Sequence, residues 1–272
     1  SDNHGGSDSA AVSITYQAGH TLTGTAGDDV LLAGGGDNLL NAGDGNDVLT
    51  AGNGNNQLRG GAGNDLLFSG LGSDLLDGGD GSDTASYAHA NAGVVVNLGL
   101  LGAQNTGGAG MDTLTGIENL IGSTFDDTLI GNNNANTLTG GLGNNTLTGG
   151  GGADTFQWLH GNSGHDLVTD FTPGTDKLDL SQLLQGEAAT ASSLDDYLHF
   201  SVTGSGASLL TSIDVKATIG APSTQTIDLA GVNLAEHYGV TPGAGGVIAS
   251  GQDTATIING MLNDHSLKVD TV

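Results

Sequence analysis

The sequence predicts an all-β solenoid of short strands, and three observations carry that prediction. A nine-residue unit recurs in phase through much of the chain. Glycine reaches 50 of 272 residues, well above the ordinary ~7%. Acidic residues outnumber basic ones thirty to four, a net charge of −26. Such a charge repels nucleic acid and anionic membrane alike and selects cations as partners. Without counter-charge the same composition reads as a disordered acidic chain.

Taken in order, residues 1–11 are polar and glycine-rich and read as a linker, and Val12 to Leu22 reads as an N-terminal capping strand. The predicted domain boundaries are 1–23, 24–157 and 158–272. The chain begins at Ser1 rather than Met and reads as a fragment of something longer. From Gly24 to Ser86 it divides without gaps into seven nonads: GTAGDDVLL, AGGGDNLLN, AGDGNDVLT, AGNGNNQLR, GGAGNDLLF, SGLGSDLLD and GGDGSDTAS. A lone nonad, GGAGMDTLT, spans 107–115, and GSTFDDTLI, GNNNANTLT, GGLGNNTLT and GGGGADTFQ run from Gly122 to Gln157. Each position has a physical role. Glycines at positions 1, 2 and 4 permit positive φ and close approach of backbone to an ion, so that carbonyls can face a hard cation. Position 6 supplies a carboxylate. Positions 7 to 9 form a strand whose alternate side chains face opposite ways, which turns position 8 inward. That inward row is Leu31, Leu40, Leu49, Leu58, Leu67, Leu76, Leu114, Leu129, Leu138, Leu147 and Phe156, with Ala85 the small exception.

The nonads resemble the RTX (repeats-in-toxin) family of secreted bacterial proteins, over residues 24–157 apart from an insertion at 87–106. The resemblance implies a right-handed parallel β-roll with two nonads per turn and calcium between loops of adjacent turns on each edge. Each ion would take two position-6 side chains plus loop carbonyls. Loops of one edge then lie eighteen residues apart. One edge carries Asp29, Asp47, Asp65 and Asp83, and the other Asn38, Asn56 and Asp74. Hard cations gain from ligand charge, so the second edge is expected to bind more weakly. Asp28 and Asp37, at position 5, are expected to add charge from outside the ligand set. In the later block the pairs are Asp127/Asn145 and Asn136/Asp154. Candidate carbonyl ligands are Gly24, Ala26, Gly34, Gly36, Gly43, Gly45, Gly52, Gly54, Gly61, Gly63, Gly70, Gly72, Gly79, Gly81, Gly141, Gly143, Gly150 and Gly152. Phe125 and Asn134 replace the position-4 glycine, and Phe does not readily adopt a left-handed conformation. Asp112 is a further candidate, although fifteen residues between Gly107 and Gly122 leave its edge open. The expected cofactor is Ca2+, roughly five to eight ions.

Calcium is expected to drive folding. Stacked carboxylates ~4.8 Å apart repel by about 3 kcal/mol at an effective dielectric of ~20. The aliphatic core is thin and the glycine loops are entropically costly to order, so metal-binding energy would serve as folding energy.

In the insertion, Val94, Val95, Val96 and Leu98 read as a strand. After Asp154 glycine falls and aromatic residues appear. The segments DLVTDFTPGTDKLDLSQLLQGE, LDDYLHFSV, TQTIDLAGVNL and IINGMLNDHSLKVDTV suggest short strands and a helix near 256–263. From about Gly152 to Val272 the chain resembles the type I secretion C-terminal target domain of large RTX adhesins. That implies a small, mostly-β capping and secretion domain recognised by an ABC-type exporter. A structural reading stands beside it, in which Phe156, Phe171, Leu178 and Leu180 cap the roll. Asp166, Asp170, Asp176 and Asp179 are candidates for one more calcium site or for turn and strand-end roles.

No catalytic constellation is visible. HExxH and GxSxG are absent from the sequence, there is no cysteine, and the eight histidines are scattered. The expected function is a non-enzymatic, calcium-dependent folding and secretion module at the C-terminus of a surface adhesin. Expected partners are the exporter and adhesin domains upstream in the same chain, with no nucleic acid, no membrane insertion and a monomeric state. Alternatives are the same module behind a secreted protease, lipase or toxin, or a ligand- or ice-binding solenoid.

Overall fold

In the computed structural model the described residues are 11–13, 19–185, 189–216 and 223–270. The linker reading of residues 1–10 lies outside them. The chain divides into two compact units, Ser1–Thr124 and Phe125–Val272.

Unit 1 is a parallel β-roll. Its strands are β1 (Ala11–Ser13), β2 (Thr21–Thr23), β3 (Val30–Leu32), β4 (Leu39–Asp44), β5 (Val48–Thr50), β6 (Gln57–Ala62), β7 (Leu66–Phe68), β8 (Leu75–Asp80), β9 (Thr84–Ser86), β10 (Val95–Asn97), β11 (Gln104–Asn105), β12 (Met111–Thr115) and β13 (Asn119–Ile121). Every nonad of unit 1 places its positions 7 to 9 in a strand. Successive nonads alternate between two sheets. β1, β3, β5, β7, β9 and β13 pair in parallel in one, and β2, β4, β6, β8 and β12 in the other. The register through the repeats is eighteen residues, as in Leu31↔Leu49 and Leu40↔Leu58. Position 8 faces inward throughout, and Leu31, Leu40, Leu49, Leu58, Leu67, Leu76 and Ala85 have no solvent exposure. Burying one such leucine contributes about 1.5–3 kcal/mol, so this row is the core.

The single capping strand expected over Val12–Leu22 is instead two strands in different sheets, and residues 14–18 between them lie outside the described set. The physical reason is the period: Thr21–Thr23 already occupies positions 7 to 9 of a repeat, Leu22 is buried, and Leu22 pairs with Leu40. The insertion forms its expected strand as β10, clipped to the chain by Gln104, whose Oε1 accepts from the Asn97 amide at 2.8 Å.

Unit 2 begins with the same repeat. Its strands are β14 (Thr128–Ile130), β15 (Thr137–Thr139), β16 (Thr146–Thr148), β17 (Thr155–Gln157), β18 (Gly164–Val168) and β19 (Lys177–Asp179). After a one-turn helix α1 (Ala191–Leu194) come β20 (Leu198–Thr203), β21 (Leu210–Val215) and β22 (Gln225–Ala230). Helices α2 (Leu234–His237) and α3 (Gln252–Asn263) and strand β23 (Leu267–Lys268) complete it. β15, β17, β19 and β23 form one parallel run. β14, β16, β18 and β22 form the other, which turns antiparallel through β21 and β20. The expected helix near 256–263 is the second half of α3, whose Ile257, Ile258 and Met261 are buried. Phe156, Phe171, Leu178 and Leu180 are buried as a capping core requires. No helix among the described residues is long and apolar enough to cross a membrane.

Candidate calcium sites

On the first edge of unit 1 the position-6 aspartates stack in a ladder. The Asp29 amide donates to Asp47 Oδ1 at 2.7 Å, the Asp47 amide to Asp65 Oδ1 at 2.8 Å, and the Asp65 amide to Asp83 Oδ1 at 2.8 Å. The ladder continues beyond the repeats, because the Asp83 amide donates to Glu118 Oε2 at 2.9 Å. All four aspartates are buried. Each keeps one carboxylate oxygen, Oδ1 of Asp29 and Oδ2 of Asp47, Asp65 and Asp83, that is buried without a hydrogen-bond partner. A buried unpaired carboxylate oxygen is costly unless a cation or donor meets it.

Glycine has two separate uses here. At position 4, Gly45 and Gly63 have φ 132°, and a Cβ on Gly63 would strike the Gly45 carbonyl. At position 1, Gly60 and Gly78 do not take positive φ, contrary to the role expected for them. Their Cβ position is instead filled by carboxylate oxygen of their own nonad, Asp65 or Asp83, together with a carbonyl from the next turn, Gly78 O or Gly116 O. The carbonyls of Gly78, at position 1, and of Gly116, just after the lone nonad, therefore lie beside the unpartnered oxygens of Asp65 and Asp83. Sequence reasoning counted position 1 among the cation-facing glycines, but of that position it named only Gly24 among the candidate ligands, not Gly78.

The second edge carries the same ladder with different chemistry. The amides of Asn38, Asn56 and Asp74 donate to Asn56 Oδ1, Asp74 Oδ1 and Asp112 Oδ1 at 3.0, 2.7 and 2.9 Å. Asp112 is thereby assigned to this edge, a placement the fifteen-residue spacing had left open. Asn38 Nδ2 donates to Gly34 O at 3.0 Å and Gly36 O at 2.6 Å. Asn56 Nδ2 donates to Gly52 O and Gly54 O, each at 3.0 Å. These are the carbonyls expected to face a cation. Ser69 Oγ donates to Asp74 Oδ2 at 3.0 Å, and Thr106 Oγ1 lies 3.0 Å from Asp112 Oδ2.

Position 5 does more than add outlying charge. Asp28 Oδ1 accepts from the Asn46 amide at 2.8 Å, and Asn46 Oδ1 from the Asn64 amide at 2.8 Å. Asp37 Oδ1 accepts from the Asn55 amide at 2.7 Å. This second ladder runs opposite in sense to the position-6 ladder, so each turn is held to the next from both sides. The signal was present in the sequence, since position 5 of these loops is Asp, Asn or Ser.

In unit 2 the expected pairs also stack. The Asp127 amide donates to Asn145 Oδ1 at 3.0 Å and the Asn136 amide to Asp154 Oδ1 at 2.8 Å. Asp166 and Asp176 extend these two columns, accepting from the amides of Asn145 at 2.7 Å and Asp154 at 3.0 Å. Asp166, Asp170, Asp176 and Asp179 therefore do not gather into one site. Asp166 Oδ2 is closed by Trp158 Nε1 at 2.7 Å and Gln225 Nε2 at 2.8 Å. Asp170 accepts from the Gly149 and Gly150 amides at 2.9 and 2.8 Å, and Asp179 pairs with Lys268 at 2.8 Å. Phe125 and Asn134 sit at position 4 without positive φ; among the described residues His265 is the one non-glycine that has it.

Burial dominates the electrostatics. It raises the carboxyls of Asp47, Asp83, Asp166 and Asp176 above the usual range. It lifts Asp65 to about 6, with Asp83 and Asp47 adding repulsion against the hydrogen bond from the Asp47 amide. Asp112 and Asp154 are likewise raised to about 6, by burial first and then by Asp74 and Asp176 respectively. Asp179 behaves oppositely: burial pushes it up, but Lys268 and Ser181 hold it below its ordinary value.

Stacked parallel turns that line up buried carboxylates along one edge, each with one unpartnered oxygen, define a parallel β-roll. Residues 21–49, 50–85 and 121–156 match the family model of the RTX calcium-binding nonapeptide repeat, in four copies. These repeats are calcium-binding repeats, and the fold around them is mostly β with parallel sheets. No curated protein matches the chain. Among solved structures, the extracellular lipase LipA from Serratia marcescens is similar at 18% identity, over 81% of this chain and 39% of that one, with a TM-score of 0.26. The chain thus spans well under half of that lipase.

The residues of the first edge fit calcium. Among the described residues no three His, Cys, Asp or Glu side chains gather as one metal-binding group. The oxygens available are paired carboxylates and loop carbonyls, the hard ligands that calcium takes in sets of ~6–8. Asp29, Asp47, Asp65 and Asp83 would hold it, and bound calcium supplies the counter-charge that the stacked carboxylates lack.

Proposed function

We propose that this chain is a non-enzymatic, calcium-dependent folding module. It is unstructured where calcium is scarce, as in cytosol, and folds outside the cell. The observation that carries this reading is the column of four buried aspartates on one edge, each with an oxygen that no protein donor meets. A column like that is self-repulsive at neutral pH until cations fill it. Extracellular modules bind calcium at ~0.1–1 mM, which separates the inside of a cell from the outside.

The finer reading is a C-terminal secretion module of a large surface adhesin, exported through a type I ABC apparatus and located at the bacterial surface. Its support is the resemblance of residues 152–272 to the secretion target domain of such adhesins. Low calcium would keep the chain threadable, and folding outside would oppose its return.

Far-UV circular dichroism in chelator, followed by calcium to ~10 mM, tests the folding claim. A cooperative gain of β signal with calcium, and none with equal magnesium, is expected. A chain fully folded in chelator and indifferent to calcium refutes it.

A further inference from the structure

The two edges of unit 1 are built from one repeat but are closed by different chemistry. On the first edge every step leaves a buried carboxylate oxygen without a partner. The last of these belongs to Asp83, which is fully buried. Its neighbour on the far side is not a repeat aspartate. Glu118 lies 35 residues on, outside every nonad, and its Oε2 accepts from the Asp83 amide at 2.9 Å, as Asp83 Oδ1 accepts from Asp65. The Gly116 carbonyl converges with the Asp83 carboxylate on the space where a Gly78 Cβ would stand. One turn earlier the Gly78 carbonyl and Asp65 Oδ2 converge in the same way at Gly60. The step at Asp83 and Glu118 therefore repeats the oxygen arrangement of the step before it, with a carboxylate from the segment after the insertion.

On the second edge the equivalent space is taken by the chain itself. Asn38 and Asn56 turn their Nδ2 groups onto the carbonyls of positions 2 and 4 and onto the next rung. An amide NH2 brings two donors to the oxygens that a cation would otherwise meet. Ion entry there would displace these hydrogen bonds and gain one carboxylate at most, that of Asp74.

We propose that Glu118 is a calcium ligand that carries the ion column of the first edge one step beyond the repeats, and that the 38/56 and 56/74 steps of the second edge are closed by asparagine amides and take no ion. The inference rests on the calcium-dependent reading above and goes beyond it by assigning which steps load. Calcium then stitches the first edge, while the 38/56 and 56/74 steps of the second are joined by asparagine amides without metal.

The test is a count of bound calcium by equilibrium dialysis on the whole chain, at a concentration that just saturates the parent. Glu118→Gln keeps an acceptor for the Asp83 amide but loses the charge, and is expected to bind one ion fewer. The pair Asn38→Asp with Asn56→Asp is expected to bind at least one ion more. Asn56→Ala removes the amide, and with it any ligand oxygen, and is expected to leave the count unchanged. An unchanged count in Glu118→Gln or in the aspartate pair, or a lower count in Asn56→Ala, overturns the proposal. Should Glu118→Gln fail to fold, the asparagine variants still decide the second edge, and Glu118→Asp, expected to keep the ion, decides the first. A parent chain that binds no calcium defeats the functional reading itself, an outcome distinct from an altered distribution of ions.

Discussion

Replacing Asp65 by asparagine should move stability in opposite directions with and without calcium. Asp65 sits mid-column, taking a hydrogen bond from the Asp47 amide and giving one to Asp83. Burial and the flanking aspartates lift its carboxyl from 3.8 to about 6. Each pH unit of that rise corresponds to ~1.36 kcal/mol, so the ionised group destabilises the calcium-free fold at pH 7 by at most about 3 kcal/mol, solvent screening reducing it below that. Asparagine preserves the acceptor for Asp47 and removes the charge. The second edge shows how it settles: Asn56 accepts through Oδ1 and returns Nδ2 to the Gly52 and Gly54 carbonyls. In chelator Asp65→Asn should therefore stabilise the roll, by up to about 3 kcal/mol. In saturating calcium it should be less stable than the parent, since one residue serves two steps. Urea unfolding followed by far-UV dichroism reads both, with sulfate added in the chelator arm to populate the native state. Loss of stability in both arms would refute the reasoning, because it would mean that the ionised carboxylate is already satisfied by the protein.

Two other outcomes follow from the same geometry. Asp65, Asp112 and Asp154, each raised to about 6, bind protons more tightly when folded than when unfolded. Their stabilising contribution is fully present below the unfolded value near 3.8 and is lost as pH rises through about 6. Calcium-free chain should thus be more structured at pH ~5 than at pH 7, and a pH titration of the dichroism in chelator checks it; Asp179, held low by Lys268, acts in the opposite sense at still lower pH. Leu58→Ala removes a fully buried side chain stacked between Leu40 and Leu76, and should cost about 2–5 kcal/mol in calcium-loaded protein, read as a lowered urea midpoint.

Much of this protein is written in its period. The nine-residue spacing places every position-7-to-9 strand, turns Leu31 through Leu76 inward and stacks Asp29 on Asp47 eighteen residues away, because a solenoid repeats one local geometry and each rung touches only its neighbours. Position 5 was legible in principle, as a run of Asp, Asn and Ser, but its ladder became clear only once the turns were stacked. Where the period breaks, local pattern loses its hold. Glu118 reaches the Asp83 rung from 35 residues away, Gln225 closes Asp166 from 59, and Lys268 pairs with Asp179 from 89. No spacing rule links such residues; the fold of each unit brings them together. The difference between the edges is also tertiary. An asparagine and an aspartate occupy the same place in the repeat, and the sequence alone marks one as a weaker ligand than the other. Only the folded loop shows that the amide turns back onto the Gly34, Gly36, Gly52 and Gly54 carbonyls, whereas on the opposite edge carboxylate oxygens of Asp47, Asp65 and Asp83 meet no protein donor.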